Sequence, residues 1–390
     1  MRPTGPAVTI NRHGLARVRA RHCWVYRSDI VDAGDSSGGD VVQVLGPGRV
    51  MLGSALYSSR SQIALRMITF DAGVIDRDFW LNRLTDAEAL RSRIAPGRDA
   101  FRLVYGESDL LPSLIIDRYQ NCFVIQTLSQ GMDRLKQMWI EVLVERFSPE
   151  AIIERNEAKV RDMEGLSRNA GVIYGKAPDE LQITEGTLRF NVDLNKGQKT
   201  GMFLDQSENR IAAERYARGR ALDCFTFQGA FALHLAKSAN HVTAVDASAD
   251  ALQWAARNAL ENGLSNIEFV EANVFDLLGK MERAGERFDA IVLDPPAFAK
   301  SRGSAEAAGR GYKEINLRAI KMLSPGGTLI TSTCSYHMSE ADFLNLLSQA
   351  SADAGRSVRI LEKRMQAPDH PVLVSMPETY YLKCVILSAL

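Results

Sequence analysis

Residues 220–246, RALDCFTFQGAFALHLAKSANHVTAVD, contain the pattern that decides the fold class of this chain. An apolar run at 220–225 predicts a strand, residues 229–238 predict a helix, and residues 242–246 predict a second strand. Alternation of strands and helices at this spacing is typical of a doubly wound parallel sheet. The segment therefore predicts an α/β domain.

The same alternation continues towards the C-terminal end of the chain. The sequence predicts a helix at 249–262 and strands at 267–271, 288–293, 327–331, 357–362 and 380–387. The last two of these strands follow each other without a crossover helix. A terminal antiparallel hairpin of this kind favours a Rossmann-like methyltransferase sheet over a dehydrogenase sheet.

Acidic residues stand at the carboxyl ends of the first two strands. Asp223 lies near the end of the first strand, and Asp246, 23 residues further on, lies where the ribose of an adenosine would present its hydroxyls. Phe225 and Gly229 belong to the turn between them, where the backbone can approach a ligand. The turn lacks the GxGxxG that seats a pyrophosphate, which favours S-adenosylmethionine over a nicotinamide cofactor. The alternative is an ordinary βαβ unit with incidental acids.

The third and fourth strands end in two further candidate groups. Asn273 follows the third strand and is a candidate to hydrogen-bond an adenine, although an Asn there can equally be a helix N-cap. The fourth strand ends Asp294-Pro295-Pro296-Ala297-Phe298. Its prolines lock the backbone and hold Asp294 at the carboxyl end of the sheet, which suits recognition of a base edge that carries an amino group. Asp-Pro-Pro also occurs in ordinary turns.

Cys334 follows the fifth strand and is the candidate nucleophile. Carbon 5 of cytosine is a poor nucleophile, and a thiolate that adds to carbon 6 activates it. A lone Cys is more often a small buried hydrophobe, but the position of Cys334 on the side of the sheet that carries Asp294 favours catalysis. Cys224 is expected to pack in the core, and no partner is evident for Cys23, Cys122 or Cys384.

The length, composition and cysteine count of the chain exclude several classes of protein. The 390 residues are 46% hydrophobic and 24% charged, as in ordinary globular proteins, and are too many for one core. No apolar run is long enough to cross a membrane, and the N-terminal residues lack the apolar core of a secretory signal. Five cysteines without a CxxC pair indicate neither a disulfide framework nor a zinc site. We expect a cytoplasmic protein with no bound metal and no membrane contact.

Positive charge is concentrated at the N-terminal end, although the net charge of the chain is zero. Residues 1–28 contain six arginines and no acid. Arg12, Arg17, Arg19 and Arg21 are candidates for contacts with RNA phosphates, the alternative being a solvated charged face. Three domains are predicted: a small β-barrel at 1–72, an α+β domain at 73–190, and the doubly wound domain at 191–390.

Motifs in all three predicted domains resemble those of the bacterial ribosomal RNA large-subunit methyltransferase I family. They are RHCWVY at 21–26, GESDLLP at 106–112, KGQKTGMFLDQ at 196–206, DPPAF at 294–298 and TCS at 333–335. The resemblance covers nearly the whole chain. It implies an N-terminal PUA domain that binds RNA, S-adenosylmethionine as the methyl donor, and 5-methylcytosine in 23S ribosomal RNA as the product.

The resemblance also implies roles for particular residues. Gln198, Lys199 and Phe203 would lie beside the cofactor. Cys334 would attack carbon 6 of a base rotated out of its stack, and Asp294 would stabilise the adduct. The chain departs from the family pattern at Cys23, Met202, Ser207 and Gln228-Gly229-Ala230. None of these departures affects Asp294 or Cys334, but cofactor affinity and RNA contacts are open to change.

Three competing interpretations remain from the sequence. The first is an RNA N-methyltransferase, because the Asp294-Pro295-Pro296-Ala297-Phe298 stretch also resembles the Asp-Pro-Pro-Phe motif that orients an exocyclic amine. Such an enzyme needs no cysteine after the fifth strand. A non-catalytic RNA-binding ribosome assembly factor would retain the fold and would not bind S-adenosylmethionine. A nicotinamide dehydrogenase is disfavoured by the missing glycine pattern. The sequence leaves open the target nucleotide, the base that removes the carbon 5 proton, and whether the chain is a monomer or a homodimer.

Overall fold

The computed structural model describes residues 5–194, 201–298, 305–336 and 338–390. The chain divides into two compact units, each built from separate stretches of sequence. The first unit contains Met1–Ile183, Val192–Leu204 and Pro368–Thr379; the second contains Thr184–Asn191, Asp205–Ala367 and Tyr380–Leu390. The predicted division at 1–72, 73–190 and 191–390 remains a prediction.

Residues 5–194 form thirteen strands and five helices. In chain order these are β1 Ala7–Ile10, α1 Arg12–Arg19, β2 Trp24–Tyr26, β3 Ile30–Asp32, β4 Val41–Leu45, β5 Met51–Tyr57, β6 Ile63–Thr69, α2 Arg77–Ile94, β7 Ala100–Tyr105, β8 Leu114–Tyr119, β9 Cys122–Thr127, α3 Gln130–Arg134, α4 Lys136–Phe147, β10 Ala151–Asn156, α5 Val160–Glu164, β11 Asn169–Gly175, β12 Leu181–Glu185 and β13 Leu188–Val192.

The described residues after 200 form seven strands and six helices. These are α6 Ser207–Ala213, β14 Arg220–Cys224, α7 Ala230–Ala236, β15 His241–Asp246, α8 Ala249–Glu261, β16 Ile267–Glu271, α9 Val274–Arg283, β17 Phe288–Leu293, α10 Ala305–Met322, β18 Leu323–Thr333, α11 Glu340–Asp353, β19 Val358–Met365 and β20 Lys383–Ala389.

The N-terminal part of the first unit is a six-stranded sheet in the order β2-β6-β5-β4-β1-β3. Alternate residues of its strands point inwards, which is why Val8, Val42, Val44 and Leu65 form its core. Helix α1 was not predicted. It begins after Asn11, whose side chain accepts a hydrogen bond from the Gly14 N–H at 2.9 Å, as an N-cap residue does.

A second sheet of the first unit has the order β11-β10-β9-β8-β7. Helices α2, α3 and α4 pack on it, and Trp80, Trp139 and Phe123 lie in the shared core. All five strands are antiparallel to their neighbours except β9 and β10, which pair in parallel. This is the α+β character that the sequence predicted for the middle of the chain.

A short segment from late in the sequence, residues 368–379, completes the first unit. The side chain of Asp369 accepts a hydrogen bond from the Arg102 N–H at 2.9 Å, and its carbonyl oxygen accepts one from Arg91 at 2.9 Å. The Cys23 N–H donates to the sulfur of Met376 at 3.2 Å. Because Arg91 and Met376 are buried, these hydrogen bonds belong to the interior of the unit.

The second unit contains a seven-stranded sheet in the order β16-β15-β14-β17-β18-β20-β19. The first five strands are parallel, and β20 is antiparallel to both of its neighbours. Helices α6 and α7 cover one face, and α9, α10 and α11 cover the other. This arrangement confirms the doubly wound, Rossmann-like fold with a C-terminal antiparallel hairpin. Within the described ranges, no helix is both long enough and apolar enough to cross a membrane.

Candidate active site

The carboxyl edge of the parallel strands carries three acidic side chains. The last paired residues of β14, β15 and β17 stand in register. Asp246 and Asp294 leave the sheet at this edge, and Asp223 lies one residue before the end of β14. Strand β14 lies between β15 and β17, where the strand order reverses, and open α/β sheets bind ligands at this point. The predicted acids are therefore brought to the expected place.

Asp223 is a buried carboxyl group with unused hydrogen-bonding capacity. One oxygen accepts a hydrogen bond from the Thr226 hydroxyl at 2.5 Å, and the other has no hydrogen-bond partner among the residues that the structure describes. Burial, together with the nearby Asp294 carboxylate, raises the pKa of Asp223 to about 8, although the hydrogen bond from Thr226 opposes the change. A cationic ligand would offset this cost. The ammonium and sulfonium groups of S-adenosylmethionine fit this requirement.

Asp246 organises the loop that follows β14. Its carboxylate accepts hydrogen bonds from the backbone N–H groups of Phe227 at 2.9 Å and Ser248 at 3.0 Å. Phe225 and Phe227 have positive φ values of 66° and 49°, which are costly for residues with a bulky side chain. Such strain persists where the surroundings impose it and is frequent at ligand sites. Asp246 thus fixes the loop that follows β14, and its predicted contact with a ribose remains a prediction.

Gly229 has a packing role that the sequence alone did not indicate. Its φ is 81°, and an added Cβ would lie 2.9 Å from the side chains of both Ala255 and Leu233. Any larger residue would therefore push α7 and α8 apart or strain the backbone. Its predicted contact with the cofactor remains a prediction.

Asn273 is the N-cap of α9, one of the two roles that the sequence allowed. Its side-chain oxygen accepts hydrogen bonds from two backbone N–H groups in the first turn of the helix. Aromatic rings lie nearby: the ring centroid of Phe298 is 5.7 Å from that of Phe275, 6.4 Å from that of Phe225 and 4.6 Å from that of Tyr312. The adenine contact proposed for Asn273 remains a prediction.

Asp294 is oriented by a side chain to which the sequence assigned no role. The amide of Gln206 donates a hydrogen bond to one Asp294 oxygen at 2.7 Å. Gln206 itself accepts from Asn209 at 2.6 Å, and Asn209 accepts from Arg364 at 3.0 Å. This chain of hydrogen bonds fixes which end of the Gln206 amide faces Asp294. Pro295 is buried directly after it, so both the side chain and the backbone of the acid are held.

Cys334 differs from the other cysteines in its exposure. None of the five forms a disulfide with another described residue; Cys334 is half-buried, whereas Cys23, Cys122, Cys224 and Cys384 are buried. Burial raises the pKa of each of these four, to about 12 for Cys23 and Cys384. Only Cys334 combines access with a position at the functional edge of the sheet. Over the described part of the chain, no three His, Cys, Asp or Glu side chains cluster so as to hold a metal ion.

Tyr312 on α10 is a second residue that sequence reasoning missed. Its side chain is buried, and burial raises its pKa to about 12, with smaller contributions from Cys334 and Asp294. Tyr312 therefore keeps its proton at neutral pH.

The signature at 196–206 is described only in part. Gln198 and Lys199 lie outside the described residues. Phe203 is half-buried, and the Met202 N–H before it donates to the Tyr119 hydroxyl at 3.0 Å. All three assignments to the cofactor remain predictions.

The candidate RNA contacts lie on and just after helix α1. Arg12, Arg19 and Arg21 are exposed. Arg17 is half-buried, and its guanidinium lies 4.6 Å from the ring centroid of Tyr26. The three exposed arginines are therefore accessible to a polyanion, although the Arg21 guanidinium also lies 5.0 Å from the ring centroid of Phe70.

Comparisons with known proteins agree with this geometry. The S-adenosylmethionine-dependent methyltransferase family matches residues 167–381, and the PUA-like domain family matches residues 8–70. A solved structure from Streptococcus mutans, described as a SAM-dependent methyltransferase, has a TM-score of 0.84 at 20% identity and covers 98% of this chain and 100% of that one. At this identity the likeness concerns the fold alone.

Curated relatives match along almost the whole length. A ribosomal RNA large subunit methyltransferase I from Aliivibrio fischeri is 40% identical over 376 residues, which is 94% of this chain and 95% of that protein. The protein of the same name from Photobacterium profundum is 41% identical over 376 residues, with the same coverage. The chain therefore belongs to the ribosomal RNA large subunit methyltransferase I family and is an S-adenosylmethionine-dependent methyltransferase.

Proposed function

We propose that this enzyme methylates carbon 5 of a cytosine in large-subunit (23S) ribosomal RNA, with Cys334 as the nucleophile. The observation that carries the proposal is the exposure of Cys334, which is half-buried at the edge of the sheet where Asp294 also lies. The relatives are named as ribosomal RNA methyltransferases, which supports the substrate class. A ribosomal substrate implies a cytoplasmic site of action.

S-adenosylmethionine supplies an electrophilic methyl group when it is bound. The residues proposed to hold it are Asp223 and Asp246, with Phe225 at the strained loop and Asn273 beside the adenine. The paired aromatic rings near Asn273 offer an apolar surface for a purine. The unsatisfied oxygen of Asp223 is the observation that favours a cationic ligand at this edge.

The reaction follows from what a thiolate does to a cytosine. The sulfur of Cys334 forms a bond with carbon 6, and the electron pair of the 5,6 double bond makes carbon 5 nucleophilic. Carbon 5 takes the methyl group, and a base then removes its proton. The electrons of the C–H bond restore the double bond, and the C–S bond breaks to release the thiolate.

Asp294 is proposed to hydrogen-bond the ring nitrogen or the amino group of the base. Its orientation by Gln206 suits this task, because a carboxylate fixed in advance does not have to reorganise when charge develops on the ring. The exposed Arg12, Arg19 and Arg21 would hold RNA phosphates while the target base leaves its stack.

The decisive experiment replaces Cys334. Cys334→Ala should abolish methyl transfer but leave cofactor and RNA binding intact. Cys334→Ser should be nearly as inactive, because a hydroxyl ionises far less readily than a thiol with a pKa near ~8.5. Cys384→Ala, which removes a buried thiol from β20, is the matched control and should retain activity.

A trapping reaction tests the covalent step directly. With RNA that contains 5-fluorocytosine, the fluorine at carbon 5 cannot leave as a proton does, so wild-type enzyme should form an adduct that survives a denaturing gel. The Cys384→Ala variant should form it and both Cys334 variants should not. An RNA N-methyltransferase would tolerate Cys334→Ala and trap nothing. An RNA-binding assembly factor would show no methyl transfer in any variant.

A further inference from the structure

Lys383 is the first residue of β20 and lies across from the end of β18. Its antiparallel partner is Thr333, the residue immediately before Cys334. Lys383 is only 4% exposed, although Lys is among the residues least often buried. The register therefore places a buried lysine at the same end of the sheet as the candidate nucleophile.

The surroundings of Lys383 do not include a carboxylate partner. Its ammonium donates a hydrogen bond to the Tyr381 carbonyl at 3.3 Å and lies 5.1 Å from the ring centroid of Tyr380. Among the residues that the structure describes, no Asp or Glu oxygen lies within 4 Å of its nitrogen. Glu340 on α11 acts on it electrostatically, but the Glu340 carboxylate is engaged by Lys363 at 2.6 Å and by the Tyr380 hydroxyl at 3.0 Å.

A buried ammonium without an ion pair is costly, and a Met of similar size would fill the space without that cost. Burial lowers the pKa of Lys383, whereas negative charge on Cys334 and on Glu340 opposes this change. The thiolate of Cys334 is thus one of two groups that stabilise the charged form of Lys383. The interaction is mutual, since the same attraction stabilises the thiolate.

We infer that Lys383 is the positively charged partner of Cys334 and holds its sulfur in the thiolate form. In the free enzyme the S–H bond of Cys334 breaks and its proton passes to water, which leaves the thiolate beside the Lys383 ammonium. When the C–S bond of the adduct breaks, its electron pair returns to sulfur beside the same ammonium. Lys383 would therefore assist both attack and release, and it acts through Cys334 as a positioning residue.

The role of Lys383 in catalysis rests on the proposed function, but the test of its pairing with Cys334 does not depend on methyl transfer. The rate at which iodoacetamide alkylates Cys334 follows its thiolate fraction, and mass spectrometry of the Cys334 peptide measures that rate from pH 5.5 to 9.5. Besides Cys334 and Lys383, the titratable groups around this end of β18 include Asp294, Tyr312, Glu340 and Tyr380, whose ring centroid lies 5.1 Å from the Lys383 nitrogen. They are unchanged in every variant compared, so the comparison isolates the lysine.

Lys383→Met should raise the midpoint of the alkylation profile by about one pH unit, which lowers the alkylation rate at pH 7 about tenfold. Lys383→Arg keeps the charge and should keep the midpoint. Lys363→Met, which removes the exposed partner of Glu340, is the control and should leave the profile unchanged. If Lys383→Met does not fold, Lys383→Gln gives the same comparison, because it lacks the charge but retains a donor for the Tyr381 carbonyl.

If the alkylation profiles of wild type and of the uncharged Lys383 variants had equal midpoints, the inference would be overturned. A lower melting temperature without a change in midpoint would mean that Lys383 is only structural. If Cys334→Ala retained methyl transfer while Lys383→Met still shifted the midpoint, the proposed function would fail and the thiolate pairing would stand.

Discussion

Replacing Asp223 by Asn tests whether this buried carboxyl group serves the cofactor rather than the fold. Burial raises its pKa from 3.8 to about 8. Below pH 3.8 the folded and unfolded chains both carry the proton, so pH has no effect through this group. Between pH 3.8 and 8 the folded chain keeps a proton that the unfolded chain loses, and the free energy of unfolding falls by ~1.4 kcal/mol per pH unit. By pH 7 the loss is about 4 kcal/mol.

Asn preserves the size of Asp223 and an oxygen that can accept the Thr226 hydroxyl, but it has no charge to bury. Without cofactor, Asp223→Asn should therefore melt about 10 °C above wild type at pH 7, since 1 kcal/mol corresponds to about 2–4 °C in a domain of this size. The difference should shrink towards zero near pH 4. Scanning calorimetry at several pH values measures it. Added S-adenosylmethionine should raise the melting temperature of wild type and not that of the variant.

The control for this comparison is Asp289→Asn. Asp289 accepts a hydrogen bond from the Arg220 N–H at 2.9 Å near the amino end of β17, far along the strand from Asp294. Its replacement should leave the cofactor-induced rise intact. The reasoning about Asp223 fails if Asp223→Asn melts below wild type at pH 7, or if the difference in melting temperature is the same at pH 4 and pH 7.

Two other substitutions test the remaining assignments. Asp246→Ala should weaken S-adenosylmethionine binding by removing both the proposed ribose acceptor and the anchor of the Phe227 N–H; unchanged affinity by calorimetry would refute the assignment. Replacing Arg12, Arg19 and Arg21 together by Gln should lower RNA affinity and reduce the slope of its salt dependence by about 2–3, since each phosphate contact contributes ~0.9. Cofactor affinity is the control, and an unaltered salt slope would mean that these charges are only solvated.

Much of the second unit could be predicted because its signals are local. Strand β17 and helix α8 follow from short apolar patterns, and the N-cap role of Asn273 was one of two that its position allowed. The order of acids at the strand ends then follows from the parallel sheet. Each of these features depends on residues that are close in sequence, within about the length of one helix or strand.

The residues that were missed depend on contacts between distant parts of the chain. Gln206 is separated by 88 positions from Asp294, and no spacing rule connects them. Lys383 meets the end of β18 only through the register of an antiparallel pair. Helix α1 was missed for a different reason, because its eight residues contain only two large apolar side chains, Leu15 and Val18, which is too short a pattern to predict a helix.

The return of residues 368–379 to the first unit bears on how the chain folds during its own synthesis. Domains usually fold in the order in which they leave the ribosome. Here the hydrogen bonds that Asp369 makes to Arg91 and to Arg102 cannot form until nearly the whole polypeptide has been translated. During most of elongation, the buried guanidinium of Arg91 therefore lacks the Asp369 carbonyl as a hydrogen-bond acceptor. Completion of the first unit is in this way tied to translation of most of the second, so a chain that ends before residue 368 would leave the first unit incomplete.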